Sequence, residues 1–75
     1  MSEKLPRVTA KEIIAVLKKL GFYFSRQSGS HKIYKNDTGK RTTIPSHAGK
    51  ILHPKVLKSI LKDTELTTNE FKKLL

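Results

Sequence analysis

FYFSRQSGSHKIYKNDTGKRTTIP, residues 22–45, is the stretch whose reading decides the fold. Phe22 and Phe24 alternate with Tyr23 and Ser25, a period of two that suits a half-buried strand over residues 22–27, with both phenylalanines expected in the core. Ser28 and Gly29 break that strand, and a second runs over residues 31–35. Asn36, Asp37, Thr38 and Gly39 are residue types that form tight turns, so the chain reverses there into a third strand over residues 41–44. Pro45 removes a ladder donor and ends it. Three short strands joined by turns form an antiparallel meander. Strict alternation puts His31 on the side of Ile33, expected to be the face covered by helices.

Upstream, Thr9 and Glu12 have the capping-box spacing, and Ile13, Val16, Leu17 and Leu20 recur at helical intervals before Gly21. This predicts a helix over residues 10–20. Downstream, Pro54 suits a first helical position and Val56, Leu57, Ile60 and Leu61 form an apolar stripe, predicting a helix over residues 54–62. His53, just before that proline, reads as a capping or surface residue. Thr67 and Glu70 repeat the capping box ahead of Phe71 and Leu74, predicting a short helix over residues 68–74 that would be marginal alone. The order is α-β-β-β-α with a short additional C-terminal helix, an α+β class in which helices cover one face of a small sheet. Seventy-five residues leave room for one domain, residues 1–75, with a thin core.

Charge is the other dominant signal. Sixteen Lys and Arg against six Asp and Glu give a net +10. Lys18, Lys19, Arg26, Lys32, Lys35, Lys40, Arg41, Lys50, Lys55 and Lys58 surround the single carboxylate Asp37 in the central segment. This exceeds the roughly 2 to 8 charges that solubility asks of a small domain. Polyanions, nucleic acid first, are the partners such a field attracts, because each neutralised phosphate releases counterions. No cysteine is present, which excludes disulfides and thiolate metal sites and fits a reducing compartment. No apolar run reaches the ~20 residues of a membrane span, and residues 1–9 lack the apolar core of a secretory signal. A cytoplasmic protein without membrane attachment is expected. No carboxylate cluster, H-E-x-x-H or Gly-rich phosphate loop occurs, so neither a metal nor a nucleotide cofactor is called for.

Helix, three strands, helix is the order of the double-stranded RNA-binding domain, an order that does not fix function. Gly29-Ser30-His31-Lys32-Ile33-Tyr34 resembles the active-site strand of HicA toxins, and Ile44-Pro45-Ser46-His47-Ala48-Gly49-Lys50 is similar to that family's loop after the third strand. Pro54 to Leu61 and Phe71 to Leu75 are similar to its C-terminal helices, so the resemblance runs from Thr9 to Leu75. It implies the toxin of a type II toxin–antitoxin pair with a double-stranded RNA-binding fold. It further implies a metal-independent mRNA interferase held inactive by a HicB-type antitoxin. The family's catalytic histidine maps onto His31; Lys32 stands where the family often has a second histidine.

The chemistry of the residues supports that reading independently. RNA brings its own nucleophile, the 2′-hydroxyl, so a protein need supply only proton transfer and positive charge. Imidazole, with a reference pKa of ~6.5, suits the first task as general base or acid. Gly29 would let a backbone approach and Ser30 could donate to a phosphate oxygen. Arg26, Lys32, Lys35 and Arg41 come from neighbouring strands and could stabilise charge building on the phosphate. His47 is a second candidate for phosphate contact or acid. Tyr23 and Tyr34 could stack on unpaired bases, with Tyr34 counted among the RNA-binding residues. Lys50 and Lys55 flank the start of the second helix, where the dipole favours a phosphate. Two other classes stay open: a non-catalytic double-stranded RNA-binding module, and a small DNA-binding or protein-interaction domain.

Overall fold

The computed structural model describes residues 4–45 and 50–75. Its elements are α1 (Ala10–Lys19), β1 (Tyr23–Ser28), β2 (His31–Lys35), β3 (Arg41–Pro45), α2 (Pro54–Thr64) and α3 (Thr68–Leu74). The three strands form one antiparallel sheet in the order β1-β2-β3, an α+β architecture with helices on one face.

Local chemistry sets the helix ends. At α1 the Thr9 N–H donates to Glu12 Oε1 (2.9 Å) and the Glu12 N–H to Thr9 Oγ1 (3.3 Å). The helix closes with a Schellman arrangement in which the Phe22 N–H donates to the Leu17 carbonyl (2.9 Å) and the Gly21 N–H to Lys18 (3.1 Å). Gly21 takes the positive φ (88°) that this closure requires. The end of α2 repeats the pattern, with Leu66 bonding back to Leu61, but the left-handed residue there is Glu65 (φ 57°). Glu65 also meets Lys40 at 2.9 Å, linking the end of α2 to the β2–β3 turn. Asn36 organises that turn, its Oδ1 accepting from the N–H groups of Thr38 (3.2 Å) and Lys40 (2.9 Å).

The core lies between the sheet and the helices. Ile13, Val16 and Leu17 of α1, Leu57, Ile60 and Leu61 of α2 and Phe71 of α3 pack with Tyr34 and Ile44 of the sheet. Phe71 is fully buried, so the short α3 is held by packing, and Lys19 Nζ donates to the Leu74 carbonyl (2.8 Å) at its end. An element absent from the sequence reading ties the N-terminal segment to the approach of α2. There the Leu52 N–H donates to the Val8 carbonyl (2.8 Å), Thr9 bridges Ile51, and both Val8 and Leu52 are buried. Thr42 is the buried polar residue of β3, and its hydroxyl donates to Asp63 Oδ2 (3.1 Å) on α2.

Two expectations about strand faces are corrected. Tyr34, not Ile33, is the core residue of β2: it is 4% exposed and pairs with the buried Thr42, whereas Ile33 is half-buried and pairs with the exposed Thr43. Cross-strand partners share a face, so Ile33 and His31 lie on the side away from the helices. Phe24 does pair with Tyr34 on the helix side, yet it is 49% exposed. β1 is an edge strand and the helices pack over β3, which leaves Phe24 open to solvent beside its edge-to-face contact with Tyr34 at 5.9 Å. A bulge at Ser25, between the Phe24 and Arg26 pairings, shifts the rest of β1 out of simple alternation.

Candidate nucleic-acid interface

The register sorts the strand residues into three rows on the open face of the sheet. Tyr23, Lys35 and Arg41 form one row, Arg26, Ile33 and Thr43 the next, and Ser28, His31 and Pro45 the last. Successive rows are about 7 Å apart along the strands, so the face spans roughly 13 Å from Lys35 to His31. Tyr23, Arg26, His31 and Arg41 are exposed and Lys35 is half-buried. None of the three strands contains an Asp or Glu. The strand residues of this face therefore include cations and an imidazole with no carboxylate among them, a positive surface that attracts a phosphate.

His31 opens β2 directly after the two-residue turn Gly29-Ser30. Gly29 has φ 58°, the glycine-first signature of a tight hairpin turn. A Cβ on Gly29 would meet nothing within 4 Å, so the position demands backbone freedom rather than space. Gln27 Nε2 donates to the Gly29 carbonyl (2.9 Å), bracing the turn from β1. The imidazole is thus held at the end of a paired strand yet faces solvent.

Not every residue singled out in the sequence lies on this face. Arg26, Lys35 and Arg41 share it with His31, and Gly29 and Ser30 border it as an exposed turn. Lys32 points to the opposite side, half-buried between Gln27 and Ile44 in the register, because alternation separates it from His31. Tyr34 is in the core, so its ring has no free face to offer a base; this corrects its place among the RNA-binding residues. His47 lies outside the described residues.

Lys50 and Lys55 are exposed near the start of α2. Lys50, Pro45, Ile51, Leu52, His53 and Val56 line a groove of about 290 Å³ that begins at Pro45, the register partner of His31. His53 caps α2, its Nδ1 accepting from the Lys55 N–H (3.1 Å), and the first turn of that helix contains no acidic residue. Tyr23 is the open-face aromatic, marked in the sequence only by the two-residue alternation of β1.

The family model described as the HicA toxin of bacterial toxin-antitoxin matches residues 10–66, from the first residue of α1 to the residue that closes α2. The chain belongs to the HicA toxin family. As a HicA toxin it is the toxin half of a toxin–antitoxin system, and its α-β-β-β-α-α order is the one expected. No curated protein matches the chain. Val8 and Phe71, both buried in this HicA chain, lie outside the matched span. Among the described residues no helix is long and apolar enough to cross a membrane.

Proposed function

We propose that this HicA-family chain is an mRNA interferase: an endoribonuclease that cuts RNA without a metal, with His31 as its proton-transfer group. The observation that carries the reading is the exposure of His31 on a carboxylate-free sheet face that also bears Arg26, Lys35 and Arg41. In the reaction the 2′-oxygen attacks the adjacent phosphorus and the P–O5′ bond breaks. The 2′-hydroxyl proton passes to the imidazole, the departing 5′-oxygen takes a proton from solvent, and the imidazolium returns its proton to solvent. The products are a 2′,3′-cyclic phosphate and a 5′-hydroxyl. The cations on the open face stabilise the charge that accumulates on the phosphate oxygens. Ser30 lies next to His31 in the exposed turn, where its hydroxyl can donate to the same phosphate.

A partner that silences such a toxin must cover the basic face. An acidic HicB-type antitoxin is that partner in this reading, its charge matched to the +10 of the toxin. The cytoplasm, where mRNA is found, is the place of action.

The test is cleavage of RNA by the parent and by His31→Ala, both shown by circular dichroism to be folded and both assayed with excess EDTA. Loss of proton transfer lowers the rate by about 10² to 10⁴. A folded His31→Ala chain that cleaves as fast as the parent refutes the assignment, and RNA bound but never cut by the parent makes the chain a non-catalytic RNA-binding module. The expected product ends, cyclic phosphate and 5′-hydroxyl, distinguish this chemistry from hydrolysis by an activated water.

A further inference from the structure

We infer that the substrate is single-stranded RNA laid across the open sheet face, with Tyr23 as the platform on which one base stacks while a nearby phosphodiester reaches His31. The inference rests on the ribonuclease reading and adds a positioning residue and a strand state to it.

Tyr23 is 49% exposed, and its register partner on the open face is Lys35, not another aromatic. The two tyrosines of the chain are thereby separated: Tyr34 fills the core and Tyr23 leaves its ring on the side of His31. Between the Tyr23 row and the His31 row lies the Arg26–Ile33–Thr43 row, whose half-buried Ile33 gives an apolar floor flanked by a cation and a hydroxyl. A strand of RNA crossing these rows meets an aromatic, an apolar surface and an imidazole in turn, at steps of about 7 Å. Arg26, Lys35 and Arg41 are distributed along the same path for its phosphates.

Duplex RNA cannot use this arrangement. Its bases are stacked inside the helix and offer Tyr23 no face, whereas unpaired bases stack on exposed sheet aromatics. Duplex geometry also opposes the reaction itself, because the regular A-form backbone holds the 2′-oxygen out of line with the departing 5′-oxygen. A flexible single strand can rotate into line, and a base pinned on Tyr23, roughly 13 Å along the strands from His31, holds the strand on the path that leads to the imidazole.

The experiment measures binding by the full chain to a 2′-O-methyl single-stranded oligonucleotide, which cannot be cut, and to the same strand annealed to its complement. Tyr23→Ala is expected to weaken single-strand binding about tenfold, the scale of one base stacked on an aromatic, and to leave duplex binding unchanged. Tyr23→Phe keeps the ring and stays near the parent. Because the chain has no tryptophan, tyrosine emission should fall when the single strand binds and should show no such fall in Tyr23→Phe. In cleavage assays Tyr23→Ala raises KM or lowers kcat for single strands, while Tyr23→Phe restores both. An unchanged single-strand affinity in a folded Tyr23→Ala chain overturns the inference. So does duplex binding that is as tight and equally sensitive to the substitution, or a Tyr23→Ala defect confined to binding an acidic protein. Since the probe is uncleavable, a failure of these binding results is told apart from a failure of the His31→Ala test.

Discussion

Replacing Phe71 with alanine tests whether the short C-terminal helix is part of the core, although it lies outside the span shared with the family model. The side chain is 0% exposed and packs in one cluster with Ile13, Val16 and Leu17 of α1. Truncating a buried phenylalanine costs about 3 to 5 kcal/mol through lost burial and the cavity left behind. A chain of 75 residues has a total stability of roughly 4 to 11 kcal/mol, so this one change removes about a quarter of it or more. Urea unfolding followed by far-ultraviolet circular dichroism is the assay. With a slope near the small-protein value of about 1 kcal/mol per molar, the midpoint should fall by about 3 to 5 M, or the variant should be unfolded without urea. Phe71→Leu, which keeps most of the volume, should lose no more than about 1.5 kcal/mol. A midpoint shift in Phe71→Ala below about 1 M, at unchanged slope, would show that α3 is a surface attachment and refute the reasoning.

Three further outcomes follow from named contacts. Gly29→Ala should destabilise by about 1 to 2 kcal/mol through the left-handed backbone alone, since the added methyl meets nothing; thermal unfolding reads it. Arg41→Ala should lower the salt slope of single-stranded RNA binding by about 0.7, the share of one phosphate contact, in titrations at several salt concentrations. The Glu70 carboxyl is held below its ordinary value of 4.5, first by the Thr67 backbone N–H and then by the Thr67 hydroxyl, which outweigh an opposing desolvation, with the Lys73 charge adding least. A depressed carboxyl contributes stability that is present above its unfolded value and lost as pH falls through the lowered folded one. The stability advantage of the parent over Glu70→Gln should therefore vanish in acid, and urea midpoints measured across that range check it.

The capping boxes at Thr9/Glu12 and Thr67/Glu70, the Asn36 turn and the apolar stripes of α1 and α2 were all legible in the sequence. Each is made by residues within a few positions of one another, so the chain's local chemistry suffices. The pairing of Val8 with Leu52 was not legible, since neither residue carries a local signal and their bond spans most of the chain. Phe24 was misplaced for a related reason: alternation tells which side of the sheet a residue faces, not whether a helix reaches far enough to cover it.

The same distinction governs the candidate site. The motif around His31 and the surplus of cations belong to the linear chain and mark the second strand as the place where chemistry would occur. Which face of that strand is open was decided by the tertiary structure. A period of two has two phases, and packing of Tyr34, Thr42 and Ile44 against the helices selects the one that leaves His31, Ile33 and Tyr23 outside. A one-residue difference in phase would have turned the imidazole to the helix side of the sheet, and only contacts between residues distant in sequence set that phase.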